Sequence, residues 1–111
     1  MSDVVELRVE DGVGIVIVSE ENCMALWAAV EPQVEAGVRA WVLDFATVNY
    51  LNSMSIAAVI GLRTKLVRED ARVQLANLQD PVKSIFRVLK LERVFDLERD
   101  LPAAKADVSG T

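Results

Sequence analysis

No histidine occurs anywhere in the 111 residues of the chain. That absence removes the usual general base at neutral pH, the commonest zinc ligand and every Ser-His or Cys-His nucleophile pair. Enzymes of those designs are disfavoured, and no catalytic residue, metal site or cofactor is expected. Cysteine is nearly absent too. Cys23, the single one, can form neither an internal disulfide nor a two-thiol redox motif, and a lone thiol predicts a reducing, cytoplasmic setting. The five glycines are spaced as neither a Walker loop nor a Rossmann fingerprint. Long apolar runs are missing: the stretches from Met24 to Val30 and from Met54 to Leu62 fall well short of the about 20 residues that span a membrane. The start, Met1-Ser2-Asp3-Val4-Val5-Glu6, is acidic and leads directly into a strand-like pattern, so no signal peptide is expected.

What the chain does have is aliphatic bulk. Val, Leu, Ile and Phe make up 38 of 111 residues, far above the roughly one-fifth below which chains stay disordered. A chain of this size buries about two-thirds of its unfolded surface, enough for one core without staples, so a single domain over residues 1–111 is expected. The net charge of −5 disfavours nucleic acid as a partner, and no segment suits insertion into a membrane. The charge is unevenly spread. Between Arg63 and Arg93 eight bases face four acids, +4 in all, which leaves −9 for the remainder. Such a dipole can orient a protein partner, and it is also what the solvated face of two helices looks like.

Two β-branched runs, Val4–Val9 and Val13–Val18, flank Asp11-Gly12, a turn pair that tolerates positive φ and signals a hairpin. From Asn22 the pattern turns helical through Cys23, Leu26, Trp27, Val30 and Val34, with Gly37 as its stop and Pro32 predicting a kink or a restart at Glu31. Ala40–Phe45 is nearly all apolar and reads as a central strand covered on both faces. A helix follows from Ser53 to about Arg68, with Ile56, Val59, Ile60 and Val67 inward and Arg63, Lys65 and Arg68 outward. Arg72–Ala76 reads as a strand. After Asp80 as cap and Pro81 in the first turn, Val82, Ile85, Phe86 and Leu89 mark another helix. Val94–Leu97 suggests a short last strand, and Leu101–Asp107 a terminal helix before a polar tail at about 108–111. The order predicts an α/β fold: a mixed β-sheet opened by an N-terminal hairpin, with about four helices mainly on one face.

The apolar strand ending in Asp44-Phe45, the Val48-Asn49-Tyr50-Leu51 connection and an Asn-Ser pair opening a helix resemble the STAS domain of bacterial anti-sigma factor antagonists. The likeness extends downstream through Val73–Ala76, Pro81 and Leu89–Phe95, and covers about Val4 to Asp107. Where that family has Asp-Ser-Ser-Gly or Asp-Ser-Thr-Gly, this chain has Asn52-Ser53-Met54-Ser55. The resemblance implies a partner switch. An anti-sigma factor that is also a serine kinase binds the unmodified protein and phosphorylates the serine, with a serine phosphatase as a second partner. Carried over, the acceptor is Ser53, with Ser55 as the second candidate, and Asn52, Ser53, Met54, Ser55, Ile56 and Ala57 form the partner-binding stretch.

Elementary chemistry suits such a position. The first amides of a helix are unpaired donors at positive potential, and a serine there holds a reachable hydroxyl. A phosphate adds roughly −1.5 to −2 charges, enough to repel a partner docked over it. Asn52 in place of the family's Asp predicts slower or absent phosphoryl transfer, and Met54 and Ser55 bring bulk where the family has a small residue and a glycine. Two other readings stay open: Asn52 and Ser53 as plain helix caps worth about 1 kcal/mol, and a phosphorylation-independent accessory subunit of a lipid-transport complex or signalling scaffold. Asp44, at the end of a buried strand, is expected to accept hydrogen bonds rather than catalyse. Trp27, Trp41 and Cys23 read as core.

Overall fold

A computed structural model describes residues 4–109. The start at 1–3 and the last two tail residues, Gly110 and Thr111, lie outside the described residues. The hairpin comes first: β1 (Glu6–Glu10) and β2 (Val13–Ile17) pair antiparallel. Asp11 and Gly12 form its turn at φ 54° and 79°, the left-handed pair that matches the twist of two-residue hairpins. A 3-10 turn at Cys23–Ala25 leads into α1 (Leu26–Glu35). Next come β3 (Ala40–Asp44), α2 (Ser53–Arg68), β4 (Arg72–Ala76) and α3 (Asp80–Val88), then a 3-10 turn at Leu91–Arg93 and α4 (Leu101–Val108).

The sheet order is β1-β2-β3-β4, with β3 parallel to both neighbours and central to the parallel part as its sequence predicts. Alternation splits the strands' side chains between two cores. Val16, Val18, Trp41, Leu43 and Leu75 face one way, beneath α1, α2 and α3. Val13, Ile15, Val42 and Ala76 face the other way, beneath Ala104 and Val108 of α4. Right-handed crossovers between adjacent parallel strands put α1 and α2 on the same face. Three helices thus share one face, and α4 packs on the other, against β3 and β4. Gly14 pairs with Trp41 in the register, and the indole ring lies where its Cβ would be. The ring is fully buried, and its Nε1 donates to the Val38 carbonyl at 3.1 Å.

Several local expectations are corrected. Helix α1 runs unbroken through Pro32 with no restart at Glu31. The carbonyl that the proline leaves without its helical donor belongs to Ala28, which is exposed and can be hydrated. The inward stripe of α2 is Ser55, Val59, Leu62 and Leu66, whereas Ile56 and Ile60 are half-buried and Val67 is exposed. Leu89 of the predicted α3 stripe is exposed, and Val82 and Phe86 carry the burial. Gln79, not Asp80, is the cap residue of α3, Asp80 being its first helical residue. The expected strand at Val94–Leu97 does not form. Val94 and Phe95 both donate to the Leu91 carbonyl, at 3.0 Å each, in a turn that aims Phe95 into the core against Phe86. The free edge of β4 is also occupied locally, since Leu75 N donates to Gln74 Oε1 at 2.9 Å. The terminal helix reaches Val108, which is buried, so the polar tail begins later than expected.

Candidate functional site

The start of α2 lies at the carboxyl end of the parallel strands, where three loops meet. Asp44 ends β3 almost fully buried. Its Oδ1 accepts from Ala46 N and from Asn77 Nδ2, both at 3.0 Å. Asn77 sits just past β4 with φ 60°, a conformation asparagine tolerates better than most residues. Gln79 Nε2 donates to the Ala46 carbonyl at 2.6 Å, tying the β3–α2 connection to the start of α3. On the other side Glu20 Oε2 accepts from Asn49 N at 3.0 Å. Asn22, buried, accepts from Ser19 N at 2.8 Å and donates to the Ile17 carbonyl at 3.0 Å. The bonds of Asp44, Gln79 and Glu20 pair backbone groups at Ala46 and Asn49 and tie the connection before α2 to its neighbours.

Asn52 caps the helix. Its backbone is extended, and its Oδ1 accepts from Ser55 N at 2.8 Å, which removes one of the orphan donors of the first turn. Ser53 is the first helical residue and its side chain is exposed. Met54 is two-thirds exposed, and Ala57 is exposed one turn further on. Ser55 faces the opposite way: it is buried, with its side chain beside Cys23, whose thiol donates to the Ser19 carbonyl at 3.4 Å. Ile56 is half-buried on the α3 side. The stretch from Asn52 to Ala57 is therefore a ridge with an exposed hydroxyl and thioether on its crest.

Two depressions flank that ridge. On the α1 side a groove of about 390 Å³ is lined by Met24, Trp27, Met54, Ala57 and Lys65, with Cys23 at its floor. Lys65 Nζ sits 5.2 Å from the centre of the Trp27 ring, a cation–π contact that orders its wall. Trp27 thus packs on the core and also lines a surface, whereas Trp41 is core alone. Burial pushes the Cys23 thiol up from its ordinary value, partly offset by the Ser55 hydrogen bond, so the thiol stays protonated and unreactive near neutrality. On the α3 side a second groove, of about 300 Å³, is lined by Ile56, Ser84, Ile85, Val88 and Leu89.

Sequence reasoning singled out Asn52–Ala57 and the structure brings these residues together on one turn and a half of helix, with Ser53 outward and Ser55 inward. It missed Asn77, Gln79 and Glu20, the residues that pin the loop. Asn77 had a readable signal, an asparagine at a strand end. Glu20 and Gln79 act across 29 and 33 residues of chain, and nothing local announces them.

A mixed sheet of this order, with three helices on one face and a further helix on the other, is a fold that solved proteins share. The family model described as Mlab, STAS domain matches residues 17–99, and the chain belongs to the STAS domain family. Among sequence relatives, BtrV of Bordetella bronchiseptica, assigned as an anti-sigma factor antagonist, is 26% identical over 90 residues, covering 81% of this chain and 78% of BtrV. Among solved structures, TM1081 of Thermotoga maritima, likewise assigned as an antagonist, superposes with a TM-score of 0.80 at 16% identity, covering 94% of this chain and 93% of its own. The Bacillus cell-fate determinant SpoIIAA, solved in its phosphorylated form, superposes at 0.70 with 14% identity, covering 95% and 99%.

Proposed function

We propose that this chain is the antagonist of a bacterial partner-switching pathway. In this reading the ridge Asn52–Ala57 docks on an anti-sigma factor that is also a serine kinase, and phosphorylation of Ser53 ends the contact. The observation that carries the proposal is the opposed orientation of the two serines: Ser53 stands exposed at the first position of α2 beside the exposed Met54, while Ser55 is sealed against Cys23. A kinase can reach the first hydroxyl without unfolding the helix. The phosphate formed there gains the unpaired amides of the first turn, so the helix tolerates it. An apolar partner surface seated on Met54 does not tolerate it, because a dianion would be desolvated there without a counter-charge. The kinase, with a serine phosphatase to reverse it, is the partner set this reading requires. It needs no nucleic acid, cofactor or insertion into a membrane, and it places the protein in the cytoplasm.

A second reading is supported by Asn52. With an amide rather than a carboxylate beside Ser53, and with Met54 making the crest apolar, the same ridge suits permanent docking as an accessory subunit of a lipid-transport complex or scaffold. Affinity capture from the native cells with wild-type, Ser53→Ala and Ser53→Asp proteins separates the two. The switch predicts that wild type and Ser53→Ala retain an ATP-binding serine kinase and that Ser53→Asp loses it. Equal capture by all three contradicts the switch.

A further inference from the structure

The groove on the α3 side extends the ridge into a surface with a defined charge. Ile56, Ile85, Val88 and Leu89 line it, and Val88 is 78% exposed, far more than an apolar residue of a core-packed helix needs to be. Ile56, Ile60 and Arg63 recur at four- and three-residue steps on one face of α2. Arg63 therefore stands about 10 Å along the helix from Ile56. Its guanidinium lies 5.6 Å from the centre of the Phe95 ring, which holds it beside the Leu91–Arg93 turn. Lys90, held at φ 64°, follows Leu89 directly, and Arg93 lies in that turn. Lys83 and Arg87 are paired with Glu98 at 2.8 and 2.6 Å. By contrast Arg63, Lys90 and Arg93 make no ion pair among the described residues.

From this arrangement we infer that the α2–α3 groove receives an acidic amphipathic helix of the protein partner. The apolar face of that helix lies on Ile56, Ile85, Val88 and Leu89, and its carboxylates reach Arg63 and Lys90. The inference rests on reading the chain as a protein-binding module and adds the chemistry of what it binds. An open apolar depression between two helices takes the apolar face of a third helix, and Arg63 and Lys90, which make no ion pair among the described residues, select acidic flanks. An anionic membrane is the poorer fit, because Glu92, two residues from Lys90, would face a planar anionic surface as well, whereas a single helix can set its carboxylates on the cations alone.

The test is a titration of the full-length isotope-labelled protein, followed by amide resonances, with three probes. These are a synthetic helical peptide with leucines on one face and glutamates on its flanks, the same peptide with lysines for glutamates, and phosphatidylglycerol vesicles. The inference predicts that the glutamate peptide alone shifts Ile56, Ile85, Val88 and Leu89. Its affinity should fall at least about tenfold between low and high salt. Arg63→Glu with Lys90→Glu should weaken it about tenfold further. Val88→Asp, at a position too exposed to disturb the core, should weaken it independently. Peptide binding is read with no kinase and no phosphate present, so a failed phosphorylation switch and a failed groove give different patterns. Equal shifts with the lysine peptide, binding to vesicles instead, or no response to the glutamate peptide would each overturn it.

Discussion

Asp44, Gly14 and Cys23 show how single residues set the frame of the fold. Asp44→Ala leaves Ala46 N and Asn77 Nδ2 without their acceptor in a buried place, and should cost about 2 kcal/mol in urea denaturation. Asp44→Asn keeps an acceptor oxygen and should cost less. A Cβ at Gly14 would lie within 2.8 Å of Trp41 Cη2 and closer still to its neighbours in the ring. Gly14→Ala should therefore destabilise by about 1–3 kcal/mol or more, because a fully buried indole has nowhere to move. Cys23 predicts a pH dependence. Its folded pKa is raised, chiefly by burial, so the unfolded chain loses the thiol proton first. Stability is unaffected by this group below the ordinary thiol value of about 8.5 and declines as pH rises above it. Cys23→Ala should remove that alkaline component when stability is measured across pH 8 to 10, roughly the range of thiol ionisation. A wild-type slope unchanged by the substitution would contradict the assignment.

Elements were read from the sequence to different depths, for physical reasons. The hairpin, the two later strands and α2 announce themselves through local signals: Asp11-Gly12, unbroken apolar runs, and a three-to-four period. Three readings failed where tertiary context overrode such signals. Pro32 is accommodated because the carbonyl it strands belongs to Ala28, an exposed residue. The stripe of α2 is turned by a residue because Ser55 is buried against Cys23 while Val67 is left outside. Val94–Leu97 is drawn into a turn by Phe95, which packs on Phe86 with ring centres 6.5 Å apart. The start of α2 rests on its cap, and Asn52→Ala should lower stability by about 1 kcal/mol. Glu98 joins α3 to the segment before α4, and its hydrogen bond with Lys83, helped by the Lys83 and Arg87 charges, holds its carboxyl below the ordinary range. That stabilisation is present above the ordinary glutamate value of about 4.3 and disappears as pH falls through the folded value. A carboxyl resonance of Glu98 that titrates at the ordinary glutamate value would contradict it.

At the scale of the whole molecule, the candidate site follows from topology. Parallel strands deliver their connections to one end of the sheet, and α2 begins there with a serine outward. The stretch Asn52–Ala57 was legible from its likeness to a known family, but its surroundings were not. The bonds from Glu20, Gln79 and Asn77 join loops far apart in sequence, and the two grooves exist only once α1 and α3 have packed beside α2. The charge dipole was legible as a count, and the fold shows which cations are already paired.

Phosphate occupancy at Ser53 tests the central claim most directly. The protein is purified from its native cells in partner-bound and free fractions, and the peptide containing Ser53 is quantified by mass spectrometry in each. The switch predicts phosphate on Ser53 in the free fraction and an unmodified serine in the fraction bound to a serine kinase. Ser53 unmodified in both fractions, with a stable partner that is not a kinase, would contradict it and leave the ridge as a permanent docking surface.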